Sequence, residues 1–120
     1  WYTLNQWKVY DFQQKVYDAY INGKSGLLCA PTGSGKTYAL WIPILEQIYS
    51  KPLTNHKCNL KVLWITPVRA LVNDVAKSMK TSVDLLQLPC TISVKTGDTS
   101  SAERRKIKSE VPDCLITTPE

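Results

Sequence analysis

Leu27-Leu28-Cys29-Ala30-Pro31-Thr32-Gly33-Ser34-Gly35-Lys36-Thr37 decides how the rest of the chain is read. Leu27–Ala30 has the look of a short buried strand. A glycine-bearing loop follows it, and then a helix expected from about Lys36 to Tyr49. Strand, loop and helix in this order fit the phosphate-loop pattern G-x-x-x-x-G-K-[ST], with Ala30 in place of the first glycine. Gly33 and Gly35 let the backbone curl so that the N–H groups of Thr32 to Thr37 can face phosphate oxygens. The helix N-terminus adds the positive end of its dipole. Lys36 reaches the β- and γ-phosphates as a point charge, and the Thr37 hydroxyl is placed to ligate Mg²⁺. The expected ligand is therefore a nucleoside triphosphate with magnesium. The competing reading is a glycine turn with no ligand.

Outward from this loop, strand and helix alternate. Phe12, Val16, Ala19 and Tyr20 recur at three- and four-residue steps and predict a helix over Asp11–Ile21. Residues Asn22 to Gly26 form a turn cluster. Pro43 falls inside the helix after the loop and predicts a kink or an irregular first half. Ser50 to Asn59 is polar and reads as a surface loop. Leu60–Thr66 reads as a second strand, rich in branched and aromatic residues. Pro67 is expected in the first turn of the next helix, with Ala70, Leu71, Val75 and Met79 as its apolar stripe, and a further helical stretch is expected to reach about Leu88. Thr91–Lys95 reads as a third strand and Thr96–Thr99 as a turn. Ser100 or Ser101 caps a basic helix from Ala102 to about Ser109. Cys114–Thr117 is a fourth strand. The alternation implies an α/β fold of the P-loop NTPase class, with a parallel sheet and flanking helices.

Bulk properties narrow the function without fixing it. Apolar runs are too short to span a membrane, so no membrane partner is expected. No signal peptide is visible at Trp1–Leu4, and the expected compartment is the cytoplasm. A net charge of +5 suits a nucleic-acid partner, because Lys and Arg displace counterions from phosphates; a merely solvated basic surface fits it equally well. The four cysteines make no C-x-x-C pair. Cys29 and Cys114 read as small core residues. His56 and Cys58 lack the two further ligands that a zinc site needs. Trp41 and Trp64 lie in apolar segments and are expected in the core.

Beside the phosphate loop, three strings line up: Trp64-Ile65-Thr66-Pro67-Val68-Arg69-Ala70-Leu71, Lys95-Thr96-Gly97-Asp98-Thr99-Ser100-Ser101 and Leu115-Ile116-Thr117-Thr118-Pro119-Glu120. In this order and spacing the chain resembles superfamily 2 DNA helicases of the Lhr type, and among them the bacterial ligase-associated DEXH-box helicases. The resemblance implies a RecA-like domain that binds ATP and Mg²⁺. Gln13 would read adenine, with Tyr10 or Trp7 stacking on the base; an amide can pair with both a donor and an acceptor on the adenine edge. Without the resemblance, Gln13 is a plain surface helix residue. Thr66, Pro67 and Arg69 would grip the backbone of the bound strand. Gly97, Asp98 and Thr99, and Thr118, Pro119 and Glu120, would form two further strand-facing loops. Their plain alternatives are a solvated arginine, a turn and a strand end. Arg104, Arg105, Lys106 and Lys108 invite a nucleic-acid reading too, but one solvated face of a short helix explains them as well.

The resemblance carries further expectations. The DEXH box and the second motor domain would follow Glu120, which makes residues 1–120 the N-terminal part of the first ATP-binding domain. Lys36 and Thr37 would then be half of a catalytic site, and this segment alone would turn ATP over negligibly. The implied partners are single-stranded DNA or a DNA duplex or hybrid, together with DNA ligase-associated repair proteins. The implied direction of movement is 3′ to 5′. Two other readings compete. One is a P-loop phosphotransferase, for which no lid or acceptor pocket is evident. The other is a truncated nucleotide-binding module without turnover.

Overall fold

A computed structural model of the chain describes residues 1–50 and 60–119. The surface loop expected around Ser50–Asn59, the His56 and Cys58 pair, and Glu120 therefore lie at or beyond the described residues. The chain divides into two compact units, Trp1–Pro52 and Leu53–Glu120.

In the first unit, α1 (Asp11–Ile21) packs on α2 (Lys36–Tyr49). Both spans match the expected periodicity. α1 opens at Tyr10, whose backbone is extended; its N–H donates to Gln13 Oε1 at 3.0 Å. That bond satisfies a donor at the helix entry that has no intrahelical acceptor. The Tyr17 hydroxyl donates to Glu46 at 2.8 Å and ties the two helices together. Along α2 the buried residues form two opposite stripes, Ala39 with Pro43 and Trp41 with Leu45. A helix buried on two faces belongs to a core, not to a surface. Pro43 removes one helical hydrogen bond, but α2 runs on through it.

Leu27–Ala30 is not a strand, contrary to expectation. Leu27 is 89 % exposed and Cys29 is exposed as well, so neither is a core residue. An apolar run becomes a strand only when a neighbour completes its hydrogen bonds. The sheet described here has three strands, which pair with one another.

The second unit runs β1 (Val62–Ile65), α3 (Arg69–Leu85), β2 (Ile92–Lys95), α4 (Ser101–Ser109) and β3 (Cys114–Thr117). The strands are parallel in the order β1-β3-β2, as the alternation of strand and helix predicts. Val62 and Ile92 both pair with Cys114, and Ile65 and Lys95 both pair with Thr117. The central β3 buries Cys114 and Ile116 completely. β1 is at an edge, so Trp64 is only half-buried where a core position was expected, and Leu63 and Ile65 are exposed.

α3 packs on β2 and β3 through Val72, Ala76, Met79 and Val83. Of the expected stripe, only Met79 is buried; Leu71 is exposed. The helix starts later than expected, at Arg69 after an extended Val68. The Thr66 N–H still donates to Thr117 O at 2.9 Å, which carries the ladder one residue past β1 and leaves Pro67 in the exit from the strand. α3 also ends before Leu88. Gln87 adopts φ 52°, its N–H bonds Asp84 O, and the Leu88 N–H bonds Val83 O. This pair of bonds is a Schellman ending built on a glutamine instead of a glycine.

Asp113 joins the starts of all three strands. Its carboxylate pairs with Lys61 Nζ at 2.8 Å and accepts from the Thr91 N–H at 2.9 Å and the Thr91 hydroxyl at 3.0 Å. Its carbonyl accepts from the N–H groups of Lys61 and Val62. Among the described residues, no helix is long and apolar enough to cross a membrane.

Candidate functional site

The loop after Ala30 has the backbone that a phosphate cradle needs. Gly33 and Gly35 sit at φ 76° and 89°, a region that side chains disfavour. Gly35 is also the N-cap of α2 and offers no capping side chain, so the first N–H groups of α2 are left for another acceptor. The Ser34 hydroxyl is buried and has no hydrogen-bond partner among the described residues. Lys36 Nζ folds back over the loop and donates to Ala30 O at 2.6 Å and Pro31 O at 2.7 Å. An ammonium, a helix N-terminus and an unpaired hydroxyl converging on one loop fit a polyphosphate. Thr32 is exposed at the loop's start, and Thr37 stands half-buried in the first turn of α2.

Gln13 is not a surface residue: it is 5 % exposed. Its Oε1 accepts from the Tyr10 N–H, and its Nε2 donates to Gly35 O at 3.4 Å. The same Gly35 carbonyl accepts the Ala39 N–H at 3.0 Å. Gln13 therefore ties the entry of α1 to the phosphate loop. A cavity of about 400 Å³ opens beside it, lined by Trp7, Tyr10, Gln13, Ser34, Gly35 and Tyr38. Its size is that of a small-ligand pocket, and aromatic faces and an amide suit a nucleobase. Tyr10 stacks on Phe12 at 6.1 Å, and Trp7 lies 5.7 Å from Tyr38. Among the described residues there is no group of three or more His, Cys, Asp and Glu side chains that could hold a metal ion.

The second unit brings three distant stretches to one sheet edge. Ile65, Lys95 and Thr117 are paired in register, so the residues after them leave the carboxyl ends of parallel strands together. These residues are Thr66–Arg69, Thr96–Thr99 and Thr118–Pro119. Carboxyl ends of parallel strands are where open α/β sheets bind ligands. Thr66 and Thr118 are buried, while Pro67, Arg69, Gly97, Asp98 and Pro119 are exposed and Thr99 is half-buried.

Arg69 Nη1 donates to both carboxylate oxygens of Asp98, at 2.8 and 2.9 Å. A side chain at position 97 would collide with the Arg69 guanidinium, so Gly97 is small to make room for it. Arg104 meets the same turn: its Nε donates to Thr99 O at 2.9 Å and its Nη2 to Gly97 O at 3.1 Å and Thr96 O at 3.3 Å. Sequence reading missed this role, because spacing cannot show a bond to backbone carbonyls. Arg105, Lys106 and Lys108 are exposed, in keeping with a solvated face. α4 itself starts at Ser100, whose hydroxyl accepts from the Glu103 N–H while Glu103 accepts from the Ser100 N–H. The Ser100 hydroxyl also donates to the Glu103 carboxylate at 2.7 Å, and this bond, together with the one from the Ser100 N–H, holds the carboxyl below its usual range.

Comparison with known proteins decides among the phosphate-loop families. Residues 10–120 match the DEAD/DEAH box helicase family. The chain belongs to it. Helicases of the Lhr type are similar across most of the chain. The Lhr helicase/probable uracil glycosylase of Mycolicibacterium smegmatis is 33 % identical over 118 residues, covering 90 % of this chain and 8 % of that protein. The ATP-dependent helicase Lhr-Core of Sulfolobus acidocaldarius is 38 % identical over 105 residues, covering 82 % of this chain and 12 % of its own length. In structure, the Mycobacterium smegmatis helicase Lhr bound to ssDNA and AMP-PNP superposes with a TM-score of 0.73 at 32 % identity, over 90 % of this chain and 14 % of that one. This member of the helicase family thus spans about a tenth of the length of the curated relatives it matches.

Proposed function

We propose that this chain is the N-terminal part of the RecA-like, ATP-binding domain of an ATP-dependent DNA helicase or translocase. The observation that carries the reading is the gathering of Thr66–Arg69, Gly97–Thr99 and Thr118–Pro119 at the carboxyl edge of one parallel sheet. A P-loop phosphotransferase has no need of three such loops with an arginine among them. Support also comes from the Mycobacterium smegmatis neighbour, which holds ssDNA and AMP-PNP.

In this reading Thr32–Thr37 hold the triphosphate of ATP, Lys36 neutralises its outer phosphates, and Gln13 selects adenine with Trp7 or Tyr10 against the base. Mg²⁺, held by Thr37, would screen the charge on the phosphates. Arg69 meets strand phosphates; Thr66, Pro67, Gly97, Asp98, Thr99, Thr118, Pro119 and Glu120 shape the surface around them. Contacts of this kind position a strand without reading its sequence. The likeness to ligase-associated helicases extends the proposal to 3′-to-5′ movement in cytoplasmic DNA repair beside a ligase.

Two titrations test it, one with a fluorescent ATP analogue and one with labelled single-stranded DNA. Lys36→Ala should abolish nucleotide binding, and Arg69→Ala should weaken DNA binding at unchanged nucleotide affinity. Equal DNA affinity in wild type and Arg69→Ala across a salt series sinks the helicase reading.

A further inference from the structure

The turn Thr96–Thr99 is held from behind by one side chain. Arg104 donates to the carbonyls of Thr96, Gly97 and Thr99, three of the four in the turn. A peptide unit is planar and trans, so its N–H points opposite to its C=O. With the Thr96 and Gly97 carbonyls turned to Arg104, the N–H groups of Gly97 and Asp98 face away from it. Successive N–H groups pointing one way, with their carbonyls neutralised by a cation, make a concavity suited to an anion. Arg69 lies over this turn, paired with Asp98.

We infer that Arg104 is the positioning residue for the strand-phosphate site at this turn. It touches no phosphate itself. It fixes the peptide planes so that the Gly97 and Asp98 N–H groups are presented to one phosphate of single-stranded DNA, beside Arg69. The first turn of α4 supplies the base for this fork, since the Ser100–Glu103 capping bonds fix the helix start four residues before Arg104. A planar guanidinium can serve three carbonyls at once; an ammonium is a point charge and cannot hold that fork. This rests on the helicase reading above, in which the turn faces the bound strand.

The test uses the full chain with Arg104→Lys, Arg104→Ala and Arg69→Ala. Binding of labelled single-stranded DNA is measured over a salt series, at a temperature where circular dichroism shows each variant folded. Both Arg104 variants should weaken binding by roughly five- to ten-fold, the loss expected when about one ordinary hydrogen bond to the phosphate is misplaced. Their salt slope should stay that of wild type, because no phosphate contact by Arg104 is removed. Nucleotide affinity should not change. If Arg104→Lys binds as wild type does, charge alone matters and the inference is overturned. A slope reduced by about 0.7 in Arg104→Ala overturns it as well, since that marks a direct phosphate contact. Loss of DNA binding in Arg69→Ala with none in the Arg104 variants refutes the inference and leaves the helicase reading standing. No loss in any variant refutes both.

Discussion

Asp113 and Lys61 form an ion pair at 2.8 Å where β3 and β1 begin, and both side chains are mostly shielded from water. Burial raises the pKa of the Asp113 carboxyl, but the Lys61 and Thr91 contacts outweigh it and hold the group below its ordinary range. A carboxylate depressed in the folded state stabilises the fold above its unfolded pKa. That contribution is lost as pH falls through the lower, folded value. Asp113→Asn should therefore cost about 1–2 kcal/mol at neutral pH, the worth of hydrogen bonds to a charged group lowered by solvent screening of a partly exposed pair. The gap to wild type should begin to narrow below about pH 4, the unfolded aspartate value, and close only below the folded one. Urea melts at pH 7 and pH 3 measure it; an equal gap at both pH values refutes the argument.

Gly35→Ala should damage the nucleotide loop twice. Its φ of 89° is strained for any side chain, and a Cβ there would stand 2.8 Å from Gln13 Nε2. The left-handed backbone alone costs about 1–2 kcal/mol. Nucleotide affinity should fall by at least ten-fold, read by a fluorescent ATP analogue, with DNA binding kept. Unchanged affinity would mean that the loop tolerates a different path.

Gln13→Ala should loosen base selection more than triphosphate binding. The amide is buried and joins α1 to the loop, so the melting temperature should drop as well. Competition by ATP and GTP against the same probe measures the selectivity. A preserved preference for ATP would remove Gln13 from the base site.

Gly97→Ala should imitate a partial Arg69→Ala. The new methyl group claims the space of the guanidinium, which is the end of a flexible chain and can swing aside. Single-strand affinity should fall several-fold while stability changes by less than about 0.5 kcal/mol, as for an exposed position. A large fall in melting temperature with intact DNA affinity would contradict this.

Much of this was legible in the sequence. The two helices of the first unit and the central strand have the bounds that periodicity and turn residues predict, and the positive φ of Gly33 and Gly35 follows from the need for a curled loop there. What stayed hidden depends on backbone partners and packing that composition and spacing do not reveal. Leu27–Ala30 has a strand's composition but no ladder. α3 turns a different face inward from the one its first leucine suggests. Its ending falls on Gln87, a residue type that carries no stop signal. Arg104 and Asp113 act on backbone groups that only the folded chain brings near them.

The buried Cys114 makes the central strand its own reporter. Burial foremost, then Cys90 and Asp113, pushes its thiol up to about 12. At pH 8 roughly one molecule in ten thousand carries the reactive thiolate there, whereas an ordinary thiol is substantially ionised. With Cys29, Cys58 and Cys90 changed to serine, alkylation of the remaining thiol would proceed only as fast as β3 parts from its neighbours. The rate would time the opening of the sheet with no added label, and it would show whether a bound DNA strand slows that opening.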